Sequence, residues 1–231
     1  TANFSFGYDH YDYRNDESVE EAAAARLSFA INQWFGKADF SYKLDNNHTL
    51  NFGLMSQFYN INSGTYEPLY ESSLVKWDQL QKDKALESAV YIGDEWDITS
   101  RLSINAGIRY SMFNLLGPRT YYTYQDGMLP SSTTVVDSVS VGGGKVVKTY
   151  QGPEFRLSAR YAFNDDFSVK AGFNTMRQYI HKVSNTTIMS PTDTWKLSDT
   201  NIKPQNGWQQ GHIIIPPARY WSCRWKGTIR N

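Results

Sequence analysis

Few residues of this 231-residue chain have the types and spacing that catalysis or metal binding requires. His10 lies next to Asp9 and two positions before Asp12, and these three side chains could serve as metal ligands. We interpret them instead as polar residues of a wet interior. Asp94 and Glu95 are adjacent, so on a strand they point to opposite faces and cannot act as a catalytic pair. Neither cluster predicts a metal or acid–base site.

Two further patterns are similarly weak. His181 lies three positions before Ser184, but no Asp and no oxyanion arrangement completes a hydrolase site. The run Gly142, Gly143, Gly144 and Lys145 lacks the GxxxxGK[ST] spacing and the following helix of a phosphate loop, so a flexible loop is expected. The sequence therefore predicts no catalytic residue, no cofactor-binding residue and no metal site.

Aromatic residues in the long polar connections are the remaining candidates for ligand contact. Aromatic rings can stack on sugars or on haem-like planes, and they can equally pack loops against one another. The predicted ligand-contact candidates are Tyr121, Tyr122, Tyr124, Trp195 and Trp208.

The elements that would position these residues are strands, and the clearest are in residues 84–113. The second arm alternates strictly in polarity, as a strand with two different faces requires. Its mostly apolar face carries Leu102, Ile104, Ala106, Ile108, Tyr110 and Met112, and its polar face carries Ser103, Asn105, Gly107, Arg109 and Ser111. A soluble core could not hold the unpaired charge on the polar face. A strand can hold it when its apolar face contacts lipid and its polar face contacts water. The pattern predicts a transmembrane β-barrel.

The same alternation recurs along the chain. Strands are predicted within residues 3–14, 34–44, 48–61, 84–113, 154–163 and 167–180, with a further start at 26–31. Residues 133–141 and 145–150 are predicted to form a loop hairpin around the glycine run, and residues 184–210 a long loop. Short turns alternate with long connections, as in outer-membrane barrels. The predicted fold is all-β, an antiparallel transmembrane β-barrel segment of about seven long strands that forms an open sheet on its own.

On each of these strands, the side chains that share the apolar face are predicted to contact lipid. The predicted lipid-facing residues are Leu50, Phe52, Leu54, Leu102, Ile104, Ile108, Leu157, Ala159, Val169 and Ala171.

Composition narrows the function classes. Lys plus Arg and Asp plus Glu both number 23, and this balance argues against a nucleic-acid partner, which would require a basic surplus. Mean hydropathy is -0.55, and no apolar run approaches the ~18 residues of a membrane helix. Aromatic residues make up 15% of the chain, which fits a barrel with aromatic girdles and also a sugar-binding β-sandwich. The single Cys223 excludes a disulfide framework and is expected to be inert.

Four stretches of the chain are informative together: DFSYKLDNNHTLNFGL, ESAVYIGDEWDITSRLSINAGIRYS, GPEFRLSARYAFNDDFSVKAGFNTMRQYIHKVSN and SPTDTWKLSDTNIKPQ. In combination they resemble the mid-to-late barrel strands of TonB-dependent outer-membrane receptors. The resemblance implies a 22-stranded barrel, an N-terminal plug and a short box that contacts TonB. No plug or box is recognisable in this chain, which would supply about a third of such a barrel. The resemblance carries over architecture and not ligand-binding residues.

The pattern changes after Gln210. Residues 1–210 are predicted to be a partial outer-membrane β-barrel, and residues 211–231 an off-pattern tail in which Pro216 and Pro217 would break a central strand. When codons for Ala218 to Asn231 are read in a frame shifted by two nucleotides, they can encode LELSVEGYYK, which has the alternation of a strand. We interpret the tail as a frameshift product.

The resulting expectation is a fragment of a receptor that imports a scarce ligand, such as a siderophore or an oligosaccharide, across the outer membrane of a Gram-negative bacterium. Its expected partners are outer-membrane lipid, the ligand and, through the plug, the TonB complex. An outer-membrane enzyme of the protease or phospholipase type and a passive porin are the alternatives. Two free sheet edges predict that the isolated chain neither inserts stably nor transports, and that it aggregates.

Overall fold

Alternating side-chain polarity produces long strands throughout the chain. The computed structural model describes residues 1–129, 131, 133–183, 194–215 and 223–230. The strands are β1 (Ala2–Glu17), β2 (Ala25–Lys43), β3 (His48–Pro68), β4 (Asp78–Gln79), β5 (Asp83–Asp97), β6 (Leu102–Leu116), β7 (Arg119–Tyr124), β8 (Val135–Val141), β9 (Val146–Ala162), β10 (Ser168–Gln178), β11 (Ile180–Val183), β12 (Thr194–Leu197), β13 (Gln205–Ile215) and β14 (Cys223–Arg230). A short 3-10 turn, Glu21–Ala23, lies between β1 and β2.

The long strands form one antiparallel sheet that curls into an open half-barrel. Its order is β1-β2-β3-β5-β6-β9-β10-β13-β14, with the short β4 on β3, and the hairpins β7-β8 and β11-β12 form separate small sheets. The all-β, open antiparallel fold predicted from the sequence is therefore confirmed. The main path contains β13 and β14 in addition to the strands that the sequence predicted.

Strand β13 contains the end of the predicted loop, residues 205–210, and the start of the predicted off-pattern tail, residues 211–215. Its first half, QNGWQQ, is mostly polar and includes Asn and Gly, which are depleted in strands, so local propensity favours a connection. It pairs along the whole of β10, from Gln178 opposite Gln205 to Ser168 opposite Ile215. An edge strand offers a row of unpaired N–H and C=O groups, and pairing with that edge outweighs the weak propensity.

The predicted hairpin around the glycine run is also wrong. Strand β8 pairs with β7, and β9 instead pairs with β6 as far as Leu116, with one register irregularity between Leu115 and Leu116. The edge of β6 remains available as far as Leu116, so residues 146–151 extend the main sheet rather than fold back on β8. Gly144 has a φ of +75°, and the glycine run makes the turn between β8 and β9.

The connections segregate by length. Short turns at residues 44–47, 98–101 and 163–167 lie at one end of the sheet, which we call the turn end. The connections from β1 to β2, β3 to β5, β6 to β9 and β10 to β13 start and finish at the other end, which we call the loop end. This segregation confirms the alternation predicted from the sequence and is typical of outer-membrane barrels.

The two faces of the sheet differ in polarity. Large apolar side chains are exposed on the face that we call outer, including Phe4 (73%), Phe6 (77%) and Val90 (60%). Cross-strand register places all ten side chains predicted to face lipid on this one surface, for example Phe52 opposite Ile92 and Ile104 opposite Ala159. No helix in the described part of the chain is long and apolar enough to cross a membrane.

Candidate functional site

The opposite, concave face, which we call inner, carries a network of buried charges at mid-height. Arg109 on β6 donates one hydrogen bond to Glu154 on β9 (2.8 Å) and another to Glu87 on β5 (3.1 Å). The Tyr59 hydroxyl donates to the second carboxylate oxygen of Glu87 at 3.0 Å. The two carboxylate side chains are only 9% and 5% exposed, so each requires its partner. The network ties four neighbouring strands of the inner face together.

The chain segment around β11 and β12 packs onto the inner face above this network. The phenol ring of Tyr179 stacks on Phe113 of β6, with ring centres 4.7 Å apart and planes at 8°, and its hydroxyl lies 2.9 Å from that of Ser111. Leu197 is fully buried against the wall. The buried members of this core are Tyr59, Ile61, Ala85, Phe113, Leu115, Tyr179 and Leu197. A connection at the loop end thus lies inside the curl of the sheet.

One guanidinium joins three connections at the loop end. Arg119, at the start of β7, forms ion pairs with Asp83 at the start of β5 and with Asp199 after β12, the latter at 2.8 Å. Asp83 also accepts the backbone N–H of Leu197 at 3.2 Å. Burial raises the pKa of the Asp83 carboxyl, and the Arg119 charge opposes that rise. Both carboxylates are nearly inaccessible to solvent, so this arrangement fixes the loops and does not present an acid to a substrate.

His181 lies in the same assembly, but its surroundings do not form a hydrolase site. Its Nε2 lies 2.8 Å from the Ser198 hydroxyl, which is fully buried. Asp199 is paired with Arg119 and Lys196, whereas a triad requires a carboxylate on the other imidazole nitrogen. Burial lowers the pKa of the His181 imidazole, and the Asp199 charge opposes that shift. Ser184, the partner considered in the sequence, lies outside the described residues.

The three candidate tyrosines of β7 do not share a face. Tyr121 follows the side of the strand that carries Arg119, whereas Tyr122 points the other way and is 44% exposed. A register irregularity between Thr123 and Tyr124 shifts the third tyrosine relative to the alternation. The three rings are therefore spread around the β7-β8 hairpin.

The two candidate tryptophans lie on other strands than β7 and β8. Trp195 is in β12, opposite Lys182. Trp208 is in β13 rather than in a loop, and its ring lies 6.3 Å from that of Phe173 on the outer face. The structure does not bring the five candidates into one site.

An aromatic cluster on the inner face was missed. Tyr13 stacks on Phe29 with ring centres 5.0 Å apart, Tyr11 lies 5.9 Å from the same ring, and Tyr11 remains 52% exposed. Gln33 donates to Asp9 at 2.8 Å on this face. The alternation of β1 already placed both tyrosines on the face opposite the apolar side chains, and this pattern could have identified them.

The acidic clusters considered in the sequence divide between faces. Asp9 lies on the inner face, and His10 lies on the outer face with Asp12 (3.2 Å) and Asn32 (2.7 Å). Asp94 pairs with His48 on the outer face at 2.7 Å, and Glu95 accepts from Asn51 at 3.0 Å on the inner face. Among the residues that the structure describes, no three His, Cys, Asp or Glu side chains are grouped to hold a metal ion.

Solved structures share this fold at low sequence identity. The copper transporter OprC matches with a TM-score of 0.64 and 12% identity, over 99% of this chain and 36% of that one. The ferric yersiniabactin uptake receptor FyuA of Yersinia pestis matches with a TM-score of 0.57 and 11% identity, over 98% of this chain and 32% of that one. The hemophore receptor HasR of Serratia marcescens matches with a TM-score of 0.50 and 12% identity, over 97% of this chain and 36% of that one. The chain thus spans about a third of these proteins.

A search of curated proteins found no match. The sequence model of the family described as "TonB dependent receptor-like, beta-barrel" matches residues 1–210, which is most of the chain. Members of the TonB-dependent receptor family are transporters or receptors of the Gram-negative outer membrane rather than enzymes. With its two-faced antiparallel sheet, long connections at one end and a family match over residues 1–210, this chain belongs to the TonB-dependent receptor-like β-barrel family.

Proposed function

We propose that the chain forms part of the barrel wall of an outer-membrane importer for a scarce ligand such as a siderophore or an oligosaccharide. The observation that carries the proposal is the two-faced sheet, with exposed apolar side chains outside and buried ion pairs inside. In a bilayer the outer face contacts hydrocarbon and the inner face lines the lumen. Three similar structures are named for copper transport, ferric yersiniabactin uptake and hemophore reception, which supports an import role.

The outer face supports a defined membrane boundary in this proposal. On β1 the apolar band includes Phe4, Phe6 and Tyr8, and the next outer side chains towards the loop end are His10 and Asp12. Farther along, Arg26 on β2 forms an ion pair with Asp16 at 2.7 Å. A bilayer core tolerates the first set and not the second, so the loop ends of β1 and β2 project beyond the hydrocarbon.

The loops supply the other half of the proposal. Tyr122 is exposed on β7, and Tyr70 (48%) and Trp77 (61%) are exposed in the connection between β3 and β5. Exposed rings at the loop end can stack on planar or sugar ligands before uptake. TonB, acting through a plug, would supply the energy, and this chain supplies the wall.

The test is TonB-dependent uptake by cells that produce the full-length receptor. Radiolabelled ferric siderophores and oligosaccharides are offered to cells with and without TonB, and with and without an uncoupler. We expect accumulation of one ligand class that stops when TonB is deleted or the proton gradient is dissipated. Uptake that persists in both conditions would identify a passive porin, and ligand cleavage without accumulation would identify an enzyme. Either result would overturn the proposal.

A further inference from the structure

A groove runs along the inner face between β6, β9, β10 and β13, on the turn-end side of the Arg109–Glu154 pair. Its polar lining side chains are Asn105, Arg156, Ser158, Lys170, Asn174 and Gln209. The cross-strand register places Arg156 opposite Asn174 and Asn174 opposite Gln209, so three strands contribute to one row. All six residues precede Gln210 and lie within the region that the family model matches.

The lining of the groove contains cations and no carboxylate, and Arg156 also borders the adjoining cavity that holds Glu95 and Asp39, the latter paired with Lys37. Lys170 lies directly opposite Arg160 on the neighbouring strand, and Arg156 follows the same face of β9. Within the described part of the chain, no carboxylate forms an ion pair with any of these three cations. The nearby Glu154 is paired with Arg109 at 2.8 Å, and Glu95 accepts from Asn51 at 3.0 Å. Like charges on adjacent positions repel, and a bound anion relieves that repulsion.

The remaining lining is made of groups that can donate. Carboxamides and a hydroxyl supply N–H and O–H donors, and the guanidinium of Arg156 can bind a carboxylate through two parallel hydrogen bonds. The middle of the groove is kept open by Gly172, which is paired with Gly211. A Cβ at Gly172 would meet its nearest atoms, Leu157 O and Ser158 Cβ, at an ordinary 3.7 Å, so local packing does not require the glycine.

We propose that this groove is an anion-binding site that takes carboxylate groups. The carboxylates come either from a small molecule that crosses the lumen or from acidic side chains of another segment of the receptor. The inference rests on the proposed function, because it treats the inner face as the wall of a water-accessible lumen. Two cations, three carboxamides and one hydroxyl around an open glycine floor form a donor-rich site for such a group.

Citrate is the probe, titrated calorimetrically into the purified full-length receptor in micelles at low and high salt. The groove variant is the double substitution Arg156→Gln with Lys170→Gln. The matched control is Lys76→Gln with Lys82→Gln, which removes the same charge from the exposed connection between β3 and β5. A third variant, Gly172→Leu, fills the groove without changing charge.

We expect saturable citrate binding that weakens at least tenfold in the groove variant, in Gly172→Leu and at high salt, with the control unchanged. If citrate does not bind the wild type but the groove variant lowers the thermal midpoint relative to the control, carboxylates of the receptor itself occupy the site. Citrate binding that survives both groove variants, or no binding with no change in midpoint, would overturn the proposal. The assay uses no TonB, so a negative result leaves TonB-dependent uptake as a separate question.

Discussion

The inner face has two halves that satisfy their charges in different ways. From the Arg109–Glu154 pair to the loop end, carboxylates are buried and each meets a cation within the chain, as Asp83 and Asp199 meet Arg119. Towards the turn end, Lys37 and Asp39 form a partly exposed pair, whereas Arg156 and Lys170 face the lumen without a carboxylate partner among the described residues. Where β11 and β12 cover the wall, an unpaired charge would be too costly to bury. Where the wall is open, water can solvate a charge until a ligand arrives.

The largest effect is expected when a substitution removes the cation from the ion pairs of the loop-end half. Arg109→Gln leaves Glu87 and Glu154 buried without a cation, and removing one partner of a buried ion pair costs about 3–5 kcal/mol. We expect a loss of that size in the free energy of unfolding, measured by urea titration of the folded receptor in micelles. The control is Lys37→Gln on the turn-end side, whose 2.8 Å pair with Asp39 is partly exposed (42% and 29%) and should contribute less than about 1 kcal/mol. Equal losses would remove the distinction between the halves.

An arginine placed on the turn-end side should be tolerated on the inner face and not on the outer face. Ile104→Arg would put a charge among apolar outer side chains near the turn end, where the cost is below the roughly 2–4 kcal/mol of a midplane position but still unfavourable. Asn51→Arg would place the same side chain on the inner face beside Glu95. We expect impaired insertion and folding only for the first variant, measured by heat-modifiable gel migration. Normal folding of Ile104→Arg would contradict the assignment of the outer face.

The smallest expected effect is a pH response confined to the loop end. Burial lowers the pKa of His181 below its unfolded value of 6.5, so the folded state favours the neutral imidazole. Its contribution to stability is complete above pH 6.5 and declines as pH falls from 6.5 through the folded pKa. The Ser198 amide donates to the backbone carbonyl of Tyr179 at 2.7 Å. Its hydrogen exchange should therefore accelerate at pH 5.5, after correction for the intrinsic rate.

The control for that experiment is His181→Gln, whose side-chain amide reaches the position of Nε2 and can bond the Ser198 hydroxyl but does not titrate. Its Ser198 amide should show no extra exchange at pH 5.5, and amides of β6 should be unaffected in both proteins. The same acceleration in the variant would show that another group controls the loop end.

Sequence reasoning predicted the strands wherever hydrophobic alternation decides the structure. In β6, for example, Ile104 and Ile108 share one face and Arg109 lies on the other, because a half-buried strand imposes period two. It failed where pairing or long-range contact decides. Strand β13 depends on the free edge of β10, and the Arg119 ion pairs join residues that are 36 and 80 positions apart. No local pattern carries that information.

The frameshift origin of the tail, residues 211–231, remains a proposal, and the side-chain pattern of β13 bears on it. Gln210 and His212 lie on the outer side of the strand, opposite Phe173 and Ala171, whereas Ile213 faces Lys170 on the inner side. Trp208 and Ile214 share the outer side with them, so β13 lacks the clean division of polarity that β10 shows. We propose a reading-frame shift near Gln210, and the nucleotide sequence tests it directly. A shifted frame that encodes no alternating strand would end the proposal.

The most direct test of the central claim is a scan of nitroxide labels along residues 102–112 of the full-length receptor in lipid vesicles, after Cys223→Ser removes the chain's single cysteine. Accessibility to lipid-soluble oxygen is measured at each position. The two-faced barrel wall predicts high oxygen accessibility at the even positions, from Leu102 to Met112, and low accessibility at the odd ones. Uniform accessibility, or maxima at Asn105 and Arg109, would contradict it.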